Sequence, residues 1–172
     1  MRIARYLTCC AVALTAVTAI PTTVGAQATT PPPEFIARQC IEITSQATQA
    51  TITGMGNGTK ITIQILHRLA RHHATRSELV AAARRGHEII AKLARHAAAS
   101  ITRFDEHCVA ILRDLGAPAA LIDAVANASK RAVTAIEQAH ARSRAAIGQA
   151  LDSILSRFLD AAPGDSGVGA AA

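Results

Sequence analysis

From Ile90 the apolar and small residues Ile90, Ala94, Ala97, Ile101, Phe104, Cys108, Ile111 and Leu115 recur at alternating steps of four and three, the heptad spacing that lays one stripe along a helix and packs it against another. Both ends of that helix are also written in the sequence. Thr75-Arg76-Ser77-Glu78 has the form of a capping box, in which the Thr75 hydroxyl accepts a backbone N–H and the Glu78 carboxylate reaches back. Gly116 suits the left-handed residue that ends a helix, and Pro118 suits the first turn of the next. The spacing therefore predicts a helix over about 76–115. At 1.5 Å per residue it would run for about 60 Å, and the flanking segments must cover its apolar stripe.

Downstream, a helix over about 118–161 is expected, with Ile122, Val125, Ala132, Ile136, Ala139, Ile147, Ala150, Ile154 and Phe158 on its inner face. Upstream, residues 34–73 present Ile36, Cys40, Ile43, Ala47 and Ala50, then Ile61, Ile65 and Leu69, as an inner face interrupted by Gly54-Met55-Gly56-Asn57-Gly58. Those glycines read as a kink, a bulge or a break, and a break would give four helices. The cysteines choose between these. With a turn at 54–58, Cys40 lies near the Thr75 end of the middle helix and Cys108 about 50 Å along it, beyond bonding. With one interrupted helix over 34–73, a hairpin centred at residue 74 sets Cys40 opposite Cys108, Gly58 opposite Ile90 and Gly54 opposite Ala94. A second hairpin centred between Gly116 and Ala117 sets Cys108 opposite Val125 and Ala97 opposite Ile136. The expected fold is all-α, an antiparallel three-helix bundle with coiled-coil-like packing and a Cys40–Cys108 disulfide.

The interior must be built almost without rings. The chain has no Trp, one Tyr and three Phe, namely Phe35, Phe104 and Phe158, so Ala, Ile, Leu and Val have to fill it. Sites that stack bases or sugars on aromatic rings are disfavoured by the same shortage.

Residues 1–28 read as a cleaved signal peptide. Arg2 and Arg5 form a positive start, Leu7 to Ile20 carries no charge, and Val24-Gly25-Ala26 and Ala26-Gln27-Ala28 are small-x-Ala cleavage sites. The apolar run of about 14 residues is shorter than the roughly 20 a spanning helix needs, so no transmembrane span is expected after cleavage. Cys9 and Cys10 leave with the signal, and an even pair of distant cysteines in an exported chain reads as a disulfide. Residues 29–33 form a Pro-rich spacer, 34–161 the bundle and 162–172 a disordered tail. Localisation is expected to be secreted or periplasmic.

Removing 1–28 takes Arg2 and Arg5 from 18 basic residues and none from 12 acidic ones, leaving a net charge of +4. That charge is segregated: Lys60 to Arg103 holds nine basic residues against Glu78 and Glu88, a net of +7. Arg84, Arg85, Lys92, Arg95 and Arg103 lie opposite the apolar seam and are the candidate anion-binding residues, for lipid, lipopolysaccharide or acidic glycan. Such a stripe is also what the solvated face of a soluble bundle looks like, and Glu88 interrupts it. His67, His72 and His73 gather near the first hairpin with Arg68, Arg71 and Arg76. They are weak candidates for a metal, since their spacing does not set two ligands on one helical face and the arginines repel cations. Glu137-Gln138-Ala139-His140 has the Glu-x-x-His spacing of di-iron helices but no second copy. Asn57-Gly58-Thr59 and Asn127-Ala128-Ser129 match the glycosylation sequon, which matters only in a eukaryotic secretory route.

No nucleophile elbow, metal signature or phosphate-cradling loop accompanies these residues. The expected function is therefore that of an exported, non-enzymatic helical-bundle protein with a structural or protein-interaction role and no cofactor. The alternative is a binder of anionic surfaces or polymers through the basic helix face; a small-ligand carrier or metal-binding protein stands third. The expected partner is a protein or an anionic surface rather than nucleic acid, for a monomer or a homodimer.

Overall fold

A computed structural model describes residues 31–160, with side chains to Arg157. The signal, the first residues of the spacer and the tail expected from the sequence lie outside the described residues. Three α-helices follow in order, α1 Pro33–Arg71, α2 Arg76–Asp114 and α3 Ala119–Asp160, and all three pack against one another as a bundle. None of these helices is long and apolar enough to cross a membrane.

The start of α1 and the helix ends at both turns have local causes. Phe35 and Ile36 donate their backbone N–H groups to the Pro32 carbonyl, so Pro33 occupies the first helical position, where its missing N–H costs nothing. The capping box forms: Glu78 N–H donates to Thr75 Oγ1 at 3.3 Å and Thr75 N–H donates to Glu78 Oε2 at 2.8 Å. The Thr75 N–H, and after it the Thr75 hydroxyl, donate to Glu78 Oε2 and hold the Glu78 carboxyl below its usual pKa. Both hairpin turns use one construction. Ala74 N–H reaches the Leu69 carbonyl and His73 N–H the Ala70 carbonyl, while Ala117 N–H reaches Leu112 and Gly116 N–H reaches Arg113. This is the Schellman arrangement, with a left-handed residue closing each helix. Gly116 takes that role at φ 66° and His73 at φ 57°.

Buried positions recur every eleven residues, in steps of three, four and four. In α1 they are Ala37, Cys40, Thr44, Thr48, Thr51, Met55, Thr59, Thr62 and Leu66. In α2, Leu79, Ile90, Ile101 and Leu112 mark the same repeat, as do Val125, Ile136 and Ile147 in α3. Eleven residues over three turns is 3.67 per turn, so the stripe stays in line without the underwinding a heptad requires. The heptad spacing expected over 90–115 accordingly holds to Ile101 and then slips. Cys108 and Leu112 are buried, while Phe104, Ile111 and Leu115 are half-buried.

The helix α1 is continuous through Gly54–Gly58, which settles the choice between kink and break in favour of three helices. Its inner face differs from expectation. Threonines point inward where isoleucines were expected, and Ile61 is 47 % exposed. The reason is that a buried threonine hydroxyl can be satisfied within its own helix. Thr48, Thr51, Thr59 and Thr62 donate to the carbonyls of Thr44, Ala47, Met55 and Gly58 at 2.6–2.8 Å. Each threonine then presents a methyl group and leaves no unpaired donor.

Two compact units share the chain. Among the described residues, the first comprises 31–54 and Arg95–Ile136, the second Met55–Ala94 and 137–160. In the first, Cys40 and Cys108 form a disulfide surrounded by Ala37, Leu112 and Val125, with Ile41, Phe104 and Ile122 packed around them. In the second, a Cβ added to Gly58 would stand 3.4 Å from Ile90 Cγ1, and one added to Gly86 would overlap Thr62. Cys40 with Cys108, Gly58 with Ile90 and Thr62 with Gly86 all obey the register of a hairpin centred at residue 74.

Candidate functional site: a basic helix face

Arg84, Arg85, Lys92, Arg95 and Arg103 are all exposed on α2. Their positions follow from the stripe opposite the buried one: steps of four, four and three from Arg84 reach Glu88, Lys92 and Arg95. Among the described residues the one ion pair is Arg84 Nε to Glu88 Oε1 at 3.2 Å, between side chains 81 % and 57 % exposed. A pair so open to water contributes little stability, and Arg85, Lys92, Arg95 and Arg103 stand exposed on the same helix outside that pair, as do Arg76 and Arg113 at its ends. Arg84, Arg85 and Lys92 belong to the second unit, Arg95 and Arg103 to the first.

The charge divides sharply between the units. The described residues of the first hold six basic and six acidic side chains, those of the second ten basic and five acidic, a net of +5. Among the described residues, three of the four exposed large apolar side chains, Ile61, Val80 and Ile89, also lie in the second unit. Ile61, expected on the inner face, is among them.

His67, His72 and His73 are exposed at the end of α1 and in the turn after it. Among the described residues no three side chains of His, Cys, Asp or Glu stand close enough to share a metal ion. Glu137 is exposed and His140 half-buried.

Two titratable groups fall in or beside the buried stripes. Asp105 takes the slot that Ala83 and Ala94 fill earlier in α2, and its Oδ1 is buried without a hydrogen-bond partner. Burial pushes its carboxyl above the usual range, Glu106 adds to the rise and Lys130 partly offsets it. Its ionisation therefore costs the fold stability as pH climbs from 3.8 through the raised value. His87, in the second unit, has Nε2 buried without a partner. Burial lowers its pKa, and Arg144 and His140 on α3 lower it further. The fold prefers the neutral ring, so the unfolded chain takes up the proton first. Stability is expected to be full above about pH 6.5 and to fall as pH drops toward the lowered native value. Urea midpoints measured between about pH 5 and 7 should show that slope, and His87→Leu should flatten it.

A groove of about 730 Å³ lies in the first unit, with Ala37 and Ile41 of α1 and Leu121 and Ala124 of α3 along it and Glu34, Arg38 and Glu42 among its other lining residues. It is a furrow open to solvent, unlike the enclosed, largely apolar clefts that bury a small ligand.

Compared with known proteins, the chain matches no protein family, no curated protein and no solved structure.

Proposed function

We propose that this chain is an exported, non-enzymatic helical-bundle protein that acts through its outer surface, in a structural or protein-interaction role. The observation that supports this reading is where the chemistry-bearing side chains go. Four buried threonine hydroxyls are occupied by carbonyls of their own helix, both cysteines of the described residues are joined to each other, and the cations stand in solvent. Catalysis needs a nucleophile, a base and an orienting group, and hydroxyls and sulfurs bonded in this way are not free to serve as the nucleophile.

A second reading, binding to anionic surfaces or polymers, draws on the exposed Arg85, Lys92, Arg95 and Arg103 and on the net of +5 in the second unit. A solvated face would serve solubility alone, but a charge excess concentrated in one unit raises the local concentration of anions there.

One chromatography experiment separates the two. The exported protein, disulfide intact, is loaded on an immobilised polyanion. Elution well above ~0.15 M salt, lost when Arg84, Arg85, Lys92, Arg95 and Arg103 become Glu, makes charge the working surface. Passage through the column at physiological salt leaves the protein-interaction role, to be pursued by pull-down.

A further inference from the structure

We propose that the edge shared by α1 and α2 in the second unit is a docking surface for an anionic phospholipid bilayer, with Ile61 and Ile89 entering the interfacial layer and Arg68, Arg85 and Lys92 meeting the headgroup phosphates. The inference rests on the anionic-surface reading and gives it a location and a partner. Its basis is the register. A Cβ at Gly58 would meet Ile90 of α2 and one at Gly86 would meet Thr62 of α1, so each glycine faces the neighbouring helix. Ile61 follows Gly58 by three residues and Ile89 follows Gly86 by three, so each stands on the edge of its helix beside the partner helix.

Exposure at these two positions is 47 % and 44 %, and Ile65 and Leu93, four residues further along, are half-buried behind them. Arg85 precedes Ile89 by four residues and Lys92 follows it by three; Arg68 lies seven residues, two turns, beyond Ile61. All three cations are exposed. The surface thus has an apolar centre and basic flanks.

That combination selects among anionic partners. An acidic polysaccharide offers charge but nothing for isoleucine to enter. An acidic protein would need anchors seated in pockets, and this edge carries no aromatic residue to provide them. A bilayer rich in phosphatidylglycerol supplies phosphates outside and hydrocarbon beneath, and it accepts a low ridge of aliphatic side chains flanked by Lys and Arg.

The test uses the protein purified after export, with its N terminus read by mass spectrometry. Sedimentation with phosphatidylcholine vesicles, with and without phosphatidylglycerol, measures partitioning. Binding is expected only to the anionic vesicles. Ile61→Ser with Ile89→Ser should lower it by about tenfold, and Arg68→Glu with Arg85→Glu and Lys92→Glu should abolish it. Melting curves confirm that these exposed substitutions leave the fold intact. Arg113→Glu with Arg131→Glu, at exposed positions of the first unit, should leave binding within about twofold of the parent. Parent-like binding by the isoleucine variant would overturn the proposal, since charge alone would then suffice. Equal loss in the Arg113/Arg131 variant would overturn the location. A protein held by the polyanion column but not by anionic vesicles would overturn the bilayer while leaving the anionic reading in place; failure on both would remove the two together.

Discussion

Replacing Cys40 and Cys108 together by alanine is expected to lower stability by about 4 kcal/mol, the loop-closure entropy that a cross-link between distant residues removes from the unfolded chain. The two residues are 68 apart in sequence. For a domain of this size the loss corresponds to a fall in melting temperature of roughly 10–20 °C. Both side chains are buried among Ala37, Leu112 and Val125, so alanine keeps an apolar environment apolar and most of the change comes from the missing bond. Thermal melts of the parent, the double variant and the reduced parent should place the last two close together. A loss below about 1 kcal/mol would mean that the unfolded chain already holds these segments near each other. A bond of this kind fits an oxidising compartment, and it is the point at which the expected export and the fold bear on one another.

The helix ends, the register and the cysteine pairing were legible because each rests on a signal within a few residues or on simple counting. Thr75 and Glu78 announce one helix start, Gly116 one helix end, and a hairpin centred at residue 74 predicts the Cys40–Cys108 pair without reference to the rest of the chain. The inner face of α1 was not legible on hydropathy. Isoleucine outranks threonine on any such scale, yet Thr48, Thr51, Thr59 and Thr62 are buried while Ile61 is not. The deciding physics is local to the helix, since a hydroxyl already bonded to the carbonyl four residues back no longer resists burial.

The same cause hid part of the candidate surface. Arg84, Arg85, Lys92, Arg95 and Arg103 were recognisable as outward cations from their phase against Ile90 and Ile101. The apolar partner of that charge, Ile61 with Ile89, becomes visible only when the stripe is placed on the threonines. The positions of His87 and Asp105 are not legible for a related reason: a seven-residue repeat gives Phe104 the slot that an eleven-residue repeat gives Asp105.

Gly86→Ala is expected to destabilise the bundle although alanine is the better helix former, and Gly86→Leu should cost more than about 3 kcal/mol. A Cβ at residue 86 would overlap Thr62 Cγ2 and Oγ1 and approach its Cβ at 3.0 Å. Thr62 cannot simply turn away. It is 7 % exposed, its hydroxyl is held by the Gly58 carbonyl at 2.8 Å, and a β-branched side chain in a helix has little choice of rotamer. Overpacking of this sort costs about 1–3 kcal/mol, against a gain in helix propensity of up to about 1 kcal/mol, so alanine should lose on balance by about 1–2 kcal/mol. Gly56 and Gly148 supply the contrast, because a Cβ at either would meet nothing within 4 Å. Alanine there should stabilise by about 0.5–1 kcal/mol. Denaturant midpoints of the three variants therefore test the close approach by sign. Adding Thr62→Ala to Gly86→Ala should recover at least about 1 kcal/mol relative to additivity. If all three glycines respond alike, α1 and α2 do not come together at Thr62 and Gly86, and the edge on which Ile61 and Ile89 stand loses its foundation.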